Sequence, residues 1–378
     1  MKILYISEDY IGSRVHHNLC SAIRNVDNDN DLTVFAFKRK NYSAYDITQT
    51  YKDINYNIKT VEPKVNQTLF KYYFPYKIKK KYDALIESID VCNTDLCIAA
   101  TLFSEGAVAL RLYKEKHIPY IVAVRATDIN LYIRKMYHLH KLGREILSKA
   151  QKIIFITDAI RKSAIESRFM LPIASEIEGK SQTITNGIDD IWIDRQYLTE
   201  ENRICNSILY VGSFDSNKNV MRLIEACTVA KNKYPDLTLN LIGGKGDNEI
   251  EVTNAISRYN WIKYHGQIYD KPLLIKEFRK NSIFAMVSHS ETFGLVYVEA
   301  LSQGLPIIYT SGQGASEMFS KMKIGFGANS NDTNDISNKI ELALQNRSAL
   351  VQNIENFPFE NFRWSKVAQE WLNNLKLL

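Results

Sequence analysis

Short apolar, β-branched runs alternate with helix-period stretches along the whole chain, the pattern of parallel strands covered by helices. In the first half the runs that read as strands are Lys2–Ser7, Leu32–Phe37, Leu96–Leu102, Tyr120–Val124 and Ile153–Ile156. A helix is predicted at Val15–Ile23. A long stretch that is both basic and apolar predicts one continuous helix over Leu131–Ala150. In the second half the strands fall at Ile208–Val211, Leu237–Ile242, Ile262–His265, Ile283–Val287, Leu305–Tyr309 and Ile324–Phe326. Helical patterns follow at Val220–Lys233, Glu249–Tyr259, Pro272–Asn281, Phe293–Gln303 and Asp335–Asn346. The fold class is therefore α/β, in two halves. Asn186-Gly187-Ile188-Asp189-Asp190 is a turn signal, and the polar stretch Leu198 to Asn206 has no apolar period. The join is expected between Thr185 and Asn206, with domains at 1–190 and 191–361. Phe362–Leu372 is an amphipathic segment beyond them.

Composition narrows the class without naming it. At 378 residues, 45% hydrophobic and 24% charged, the chain suits two globular domains with their own cores. No run of eighteen apolar residues is present, and Met1–Ile6 reads as a first strand, not a signal peptide. The expected location is cytoplasmic. Five scattered cysteines without a Cys-x-x-Cys pair read as reduced thiols, and the seven histidines show no metal-ligand spacing, so no metal and no cofactor is expected. Net charge is +6; residues 1–190 carry 28 Lys/Arg against 22 Asp/Glu, and residues 191–378 carry 20 of each. Part of the excess lies in Lys71–Tyr82, where cations interleave with aromatics. Two readings stand for it: peripheral contact with an anionic membrane, or a solvated basic face beside a few core aromatics. Nucleic acid is not an expected partner.

The chemistry concentrates in Ser288-His289-Ser290-Glu291-Thr292-Phe293-Gly294-Leu295-Val296-Tyr297-Val298-Glu299-Ala300-Leu301. An apolar strand precedes it, and Gly304-Leu305-Pro306 then opens another strand. A strand, a short polar turn and a helix start leave backbone N–H groups unpaired at a strand's carboxyl end, where α/β sheets take ligands and anions bind. Glu291 lies in the turn and Glu299 two helical turns on. Such a pair suits a ligand with a central diphosphate and hydroxyl-bearing groups at each end, which is the anatomy of a nucleotide sugar.

The segment resembles the signature of the retaining family-4 glycosyltransferases, S-x-x-E-x-F-G-L-x-x-x-E-A-x-x-x-G-x-P, with every fixed position present. The resemblance implies the GT-B architecture: two Rossmann-like parallel-sheet domains facing a central cleft. It also implies that residues 362–378 form a helix crossing back onto the first, acceptor-side domain. A nucleotide-diphosphate sugar is then the expected donor, and a hexose-type sugar is expected to pass, with retention and without a metal, to a hydroxyl of a saccharide or lipid-linked acceptor. Cell-surface polysaccharide assembly is the setting by analogy. Glu299 is expected to hold the ribose hydroxyls and Glu291 the sugar ring. Lys218 and the N–H groups around Phe293, Gly294 and Leu295 are expected on the departing diphosphate.

The remaining candidates follow from the same likeness. Gly212-Ser213-Phe214-Asp215-Ser216-Asn217-Lys218 keeps the family's lysine but has Ser213 where an arginine is usual. Gly212 and Ser213 join the donor-binding set, as do Gly244, Gln267 and the single glycine Gly12 after the first strand. Arg125 stands where many members have histidine, and is assigned with Glu291 and Lys218 to catalysis. Arg14 and Asp128 are assigned to the acceptor, with a structural Arg125–Asp128 ion pair as the alternative. His16 and His17 are not expected to be catalytic. Ser213 and Arg125 also leave room for two rivals, a catalytically weak binding subunit and a nucleotide-sugar epimerase on the same fold.

Overall fold

Strand β1 (Lys2–Ser7) is buried at every position after Lys2, as a central parallel strand must be when helices cover both faces. This is a computed structural model, describing residues 1–37, 54–62, 73–199 and 203–376. Around β1 lie β2 (Asp31–Phe37), β3 (Asn57–Val61), β4 (Leu96–Ala99), β5 (Tyr120–Val124), β6 (Lys152–Phe155) and β7 (Ser181–Thr183). Among the described residues they form one sheet of order β3-β2-β1-β4-β5-β6-β7, parallel throughout. The order reverses between β1 and β4. That reversal opens a crevice at the strands' carboxyl ends.

The chain divides into two units, Met1–Gly187 with Trp364–Leu378, and Ile188–Arg363. In the first unit one face of the sheet is covered by the helix Arg14–Val26 and by the C-terminal helix Trp364–Lys376. Trp364, Val367, Trp371 and Leu372 share a core with Leu19, Cys20 and Ile23. Burying each large apolar side chain contributes about 1.5–3 kcal/mol, which is what holds this distant segment to the first unit. The other face packs on the helices Phe74–Ser88, Ser104–Lys116 and His140–Lys149.

The second unit holds β8 (Ser207–Gly212), β9 (Thr238–Gly243), β10 (Ile262–Tyr264), β11 (Ile283–Ala285), β12 (Ile307–Thr310) and β13 (Gly325–Ala328). Their order is β10-β9-β8-β11-β12-β13, again parallel, with its reversal between β8 and β11. One core runs through this unit, from Trp192 to Phe362. The Ile188 N–H donates to the Phe362 carbonyl at 2.9 Å, joining the residues at which the chain enters and leaves.

One sequence expectation needs correction. The continuous helix over Leu131–Ala150 is broken into a π turn (Asp128–Ile133), a 3-10 turn (Tyr137–Leu139) and the α-helix His140–Lys149. Met136 leaves helical geometry at φ −116°, ψ 61°, and His140 Nε2 bonds to the Ile133 carbonyl at 2.9 Å. A side chain thus takes the acceptor that a continuous helix would pair with backbone. The basic stretch divides between two faces of one helix. Its described part, from Tyr73, lies on the helix Phe74–Ser88, while Lys71 and Tyr72 lie outside the described residues. Lys77 and Lys81 turn inward onto Glu8 at 2.9 and 2.6 Å. Only Lys79 and Lys80 remain toward the outside, Lys79 paired with Asp83 and Lys80 over the Tyr76 ring. Helical period sets two of the stretch's lysines to one face, and that face meets carboxylates.

Candidate functional site

In the second unit the loop after β8 and the turn after β11 meet at the sheet's reversal. Asp215 shapes the first loop: its carboxylate accepts from the Lys218 N–H at 3.1 Å and from the Ser213 hydroxyl. Ser213 is thereby tied down within its loop, and Lys218 is the cation that residues 212–219 offer. Its Nζ lies 2.9 Å from Glu291 Oε2. Two residues expected to grip different parts of a ligand are therefore partners here.

Side chains with no part in the expected set hold this geometry. Asn217 bridges the loops: Nδ2 donates to the Ser290 carbonyl at 2.9 Å, Oδ1 accepts from the Ser290 N–H at 3.0 Å, and its carbonyl accepts from the His289 N–H at 2.7 Å. Gln313 does the same from the far side, accepting from the Glu291 N–H and donating to the His289 carbonyl, both at 2.8 Å. Sequence gives no signal for either, because the partners lie tens of residues apart.

The helix after the turn runs Leu295–Ser302, with Gly294 in left-handed geometry at its N-cap (φ 79°, ψ 64°). A Cβ there would stand 2.3 Å from the Tyr297 ring, so both backbone and space require glycine. The Tyr297 N–H donates to the Gly294 carbonyl at 2.9 Å, which leaves the N–H groups of Leu295 and Val296 ahead of the helical ladder. Phe293 is buried against Phe319 and Phe362, so only its backbone can serve a ligand. Leu295 is half-buried.

Glu299 sits apart from the Lys218–Glu291 pair. It is half-buried, and no described residue donates a hydrogen bond to its carboxylate. Burial pushes its carboxyl up to about 7, with Asp189 adding to the shift and Lys271 opposing it. Lys271 and Asp189 are 2.5 Å apart, each the other's partner before either is Glu299's. An acid left in this state is set to accept hydroxyl donors.

The glycines at the neighbouring strand ends make room for backbone and tyrosines. A Cβ on Gly212 would lie 2.7 Å from Tyr210 Oη, and one on Gly244 (φ 129°) 2.8 Å from Tyr264 Oη. Gln267 Oε1 accepts from the Tyr269 hydroxyl at 2.6 Å.

In the first unit Gly12 is exposed and the helix begins at Arg14, a half-buried residue with a partner of its own. Arg125 and Asp128 lie together at the end of β5, but not as an ion pair. Asp128 is fully buried and accepts from the N–H groups of Leu102 and Phe103, both at 3.2 Å, and of Arg125 at 2.9 Å. Burial raises its carboxyl to about 6 in spite of those bonds. The carboxylate joins the β4 and β5 loops and is engaged by backbone. Arg125 Nε donates to the Ala100 carbonyl at 2.8 Å. Beside them, Lys81 Nζ touches Glu8 Oε2 at 2.6 Å, Ser104 Oγ at 2.7 Å and Glu105 Oε1 at 3.3 Å. Burial alone would lower the lysine's affinity for its proton, but Glu105 and Glu8 outweigh it and hold Lys81 above the usual lysine range. His16 is buried with Nδ1 2.6 Å from the Tyr5 hydroxyl, and burial together with Arg125 keeps the ring neutral.

Two parallel sheets of this order, each with polar loops at its reversal, define the GT-B class of fold. Anabaena HepE, solved in complex with UDP, overlays at a TM-score of 0.74 with 20% identity and full coverage of both chains. Residues 172–357 match the family described as glycosyl transferases group 1. An uncharacterized glycosyltransferase of Methanocaldococcus jannaschii is 27% identical over 77% of this chain and 76% of its own. The capsular polysaccharide biosynthesis glycosyltransferase CapM of Staphylococcus aureus is 24% identical over 71% of this chain and 78% of its own. The fold is GT-B, and the group 1 match over residues 172–357 together with the glycosyltransferase relatives supports a glycosyltransferase.

Proposed function

We propose that the chain moves a hexose-type sugar from a nucleotide-diphosphate sugar to a hydroxyl of a saccharide or lipid-linked acceptor, with retention and without a metal. The observation that carries this reading is Glu299: a half-buried carboxylate with no hydrogen-bond donor among the described residues, on the helix whose first N–H groups lie free of the ladder. Ribose hydroxyls would supply the missing donors. Lys218 would pass from Glu291 toward the diphosphate, and the freed Glu291 would face the sugar ring. In this reading the bond from C1 to the phosphate oxygen breaks as the acceptor oxygen bonds C1 on the same face. The acceptor proton goes to the departing phosphate. Lys218 and the N–H groups of Gly294 and Leu295 would stabilise the negative charge that develops there.

Cell-surface polysaccharide assembly is the proposed setting, supported by the likeness to CapM. For a lipid-linked acceptor we add peripheral contact with an anionic membrane through Lys79 and Lys80. Co-sedimentation with phosphatidylglycerol vesicles tests it, and no difference from neutral vesicles would rule it out.

The central test is transfer from a panel of UDP-, GDP- and ADP-sugars, read by mass spectrometry, with calorimetric titration of each nucleotide. Glu299→Ala is expected to weaken nucleotide binding by about 10²–10⁴-fold, the loss of two hydrogen bonds to a charged group at roughly 1.5–3 kcal/mol each. Unchanged affinity and turnover in that variant would overturn the assignment. Consumption of donor without acceptor would point to epimerisation, and binding without any turnover to a catalytically weak subunit.

A further inference from the structure

At the reversal of the first sheet, a cavity of about 80 Å³ is lined by Glu8, His16, Thr101, Glu105, Arg125 and Asp128 among others. At ~30 Å³ per water it holds two or three waters, room for a carboxylate or a phosphoryl group and not for a sugar ring. Its carboxylates are engaged. Glu8 is matched by Lys77 and Lys81. Glu105 is matched by Lys81, the Glu8 N–H and the Thr101 hydroxyl. Asp128 holds three backbone N–H groups, and Asp9, also on the wall, has a partner as well.

Arg125 differs from all of these. Its Nε is fixed on the Ala100 carbonyl, which sets the plane of the guanidinium, and among the described residues its two Nη groups have no partner. A guanidinium fixed at Nε with its Nη groups open presents the planar fork that matches a carboxylate or phosphate. His16 lines the same cavity, its Nδ1 held 2.6 Å from the Tyr5 hydroxyl.

We infer that Arg125 makes this cavity a subsite for a compact anion, so that the sugar handled by the first unit bears a carboxylate or a phosphate. The inference deepens the glycosyltransferase reading by naming the substrate class, and rests on that reading for the claim that a sugar occupies the subsite. Two sources could bring the anion: the donor's sugar or the acceptor.

The experiment uses the full chain and titrates both sources. One arm compares UDP-glucuronate with UDP-glucose. The other compares glucuronate and glucose 6-phosphate with glucose, in the presence of UDP. The expected result is a preference of about tenfold or more for the anionic member in one arm, worth roughly 1.4 kcal/mol, and the arm identifies the source. Arg125→Gln should abolish that preference while UDP binds as in the wild type. Arg125→Lys, which keeps the charge and loses the fork, should reduce it and serves if the glutamine variant does not fold. Equal binding of charged and neutral sugars in both arms overturns the inference, as does a preference that survives in Arg125→Gln. Intact UDP binding in either event leaves the donor reading standing, whereas loss of UDP binding by the wild type would remove that reading first.

Discussion

The two sheets reverse in the same way, yet their carboxyl edges are filled differently. At the first, Lys81 lies 2% exposed among Glu8, Glu105 and Ser104, a network that satisfies itself. At the second, Glu299 keeps a carboxylate with no donor among the described residues, and Lys218 meets Glu291 at a partly buried contact. The same topology thus supports a closed ion cluster in one unit and an open set of polar groups in the other. Buried charge that is already matched holds a fold together, while polar groups left without partners mark where a ligand completes the structure.

Breaking the closed cluster should give the largest effect. Lys81→Ala leaves Glu8 and Glu105 without their shared cation in a dry site, and is expected to lower unfolding stability by about 3–5 kcal/mol in denaturant titration. A loss below about 1 kcal/mol would mean the network contributes little. Lys218→Ala tests the open edge. It should cut kcat/KM for donor turnover by about 10²–10³-fold, as removal of a charge-stabilising donor does elsewhere. Its stability should move by no more than about 1 kcal/mol, because a partly exposed ion pair is worth little. Equal damage to stability in both variants would erase the distinction between the edges.

Gly294→Ala should be smaller in stability terms, about 1–2 kcal/mol from the left-handed backbone alone. It should also weaken UDP binding, because the clash with Tyr297 moves the helix start. A variant with wild-type melting and UDP affinity would show that this N-cap is not constrained as described. A further effect concerns pH. Glu299 titrates near 7 when folded against an ordinary 4.5, so the folded state holds its proton more tightly. Its contribution favours folding below pH 4.5 and is lost as pH rises through 7. Glu299→Gln should therefore melt higher than the wild type at pH 8, with a narrower gap at pH 5. The same group predicts proton release on UDP binding near pH 6, measurable by calorimetry in buffers of different ionisation enthalpy.

Much of the fold was readable because buried parallel strands are nearly uniform in character. The runs Ile3–Ile6 in β1, Tyr120–Val124 in β5 and Ile307–Tyr309 in β12 are apolar and short, which leaves little else for them to be. The helix break at Met136 was not readable, since His140 replaces a backbone partner without disturbing the apolar period. Neither were β3 and β7, whose exposed, polar residues carry no strand pattern. In the site, Glu291, Glu299 and Lys218 stood out by position at strand and helix ends. Asn217, Gln313 and the Lys271–Asp189 pair did not, because they act through partners distant in sequence.

The sequence by itself determined the alternation of strand and helix and the placement of polar residues where strands end. Those are local properties, written in period and composition. Only the tertiary structure decided which charges satisfy one another: Lys81 with Glu8 and Glu105, Lys218 with Glu291, Asp128 with three N–H groups, Glu299 and the Arg125 fork with none among the described residues. Pairing depends on distance and burial in three dimensions, and a linear pattern of charges contains neither.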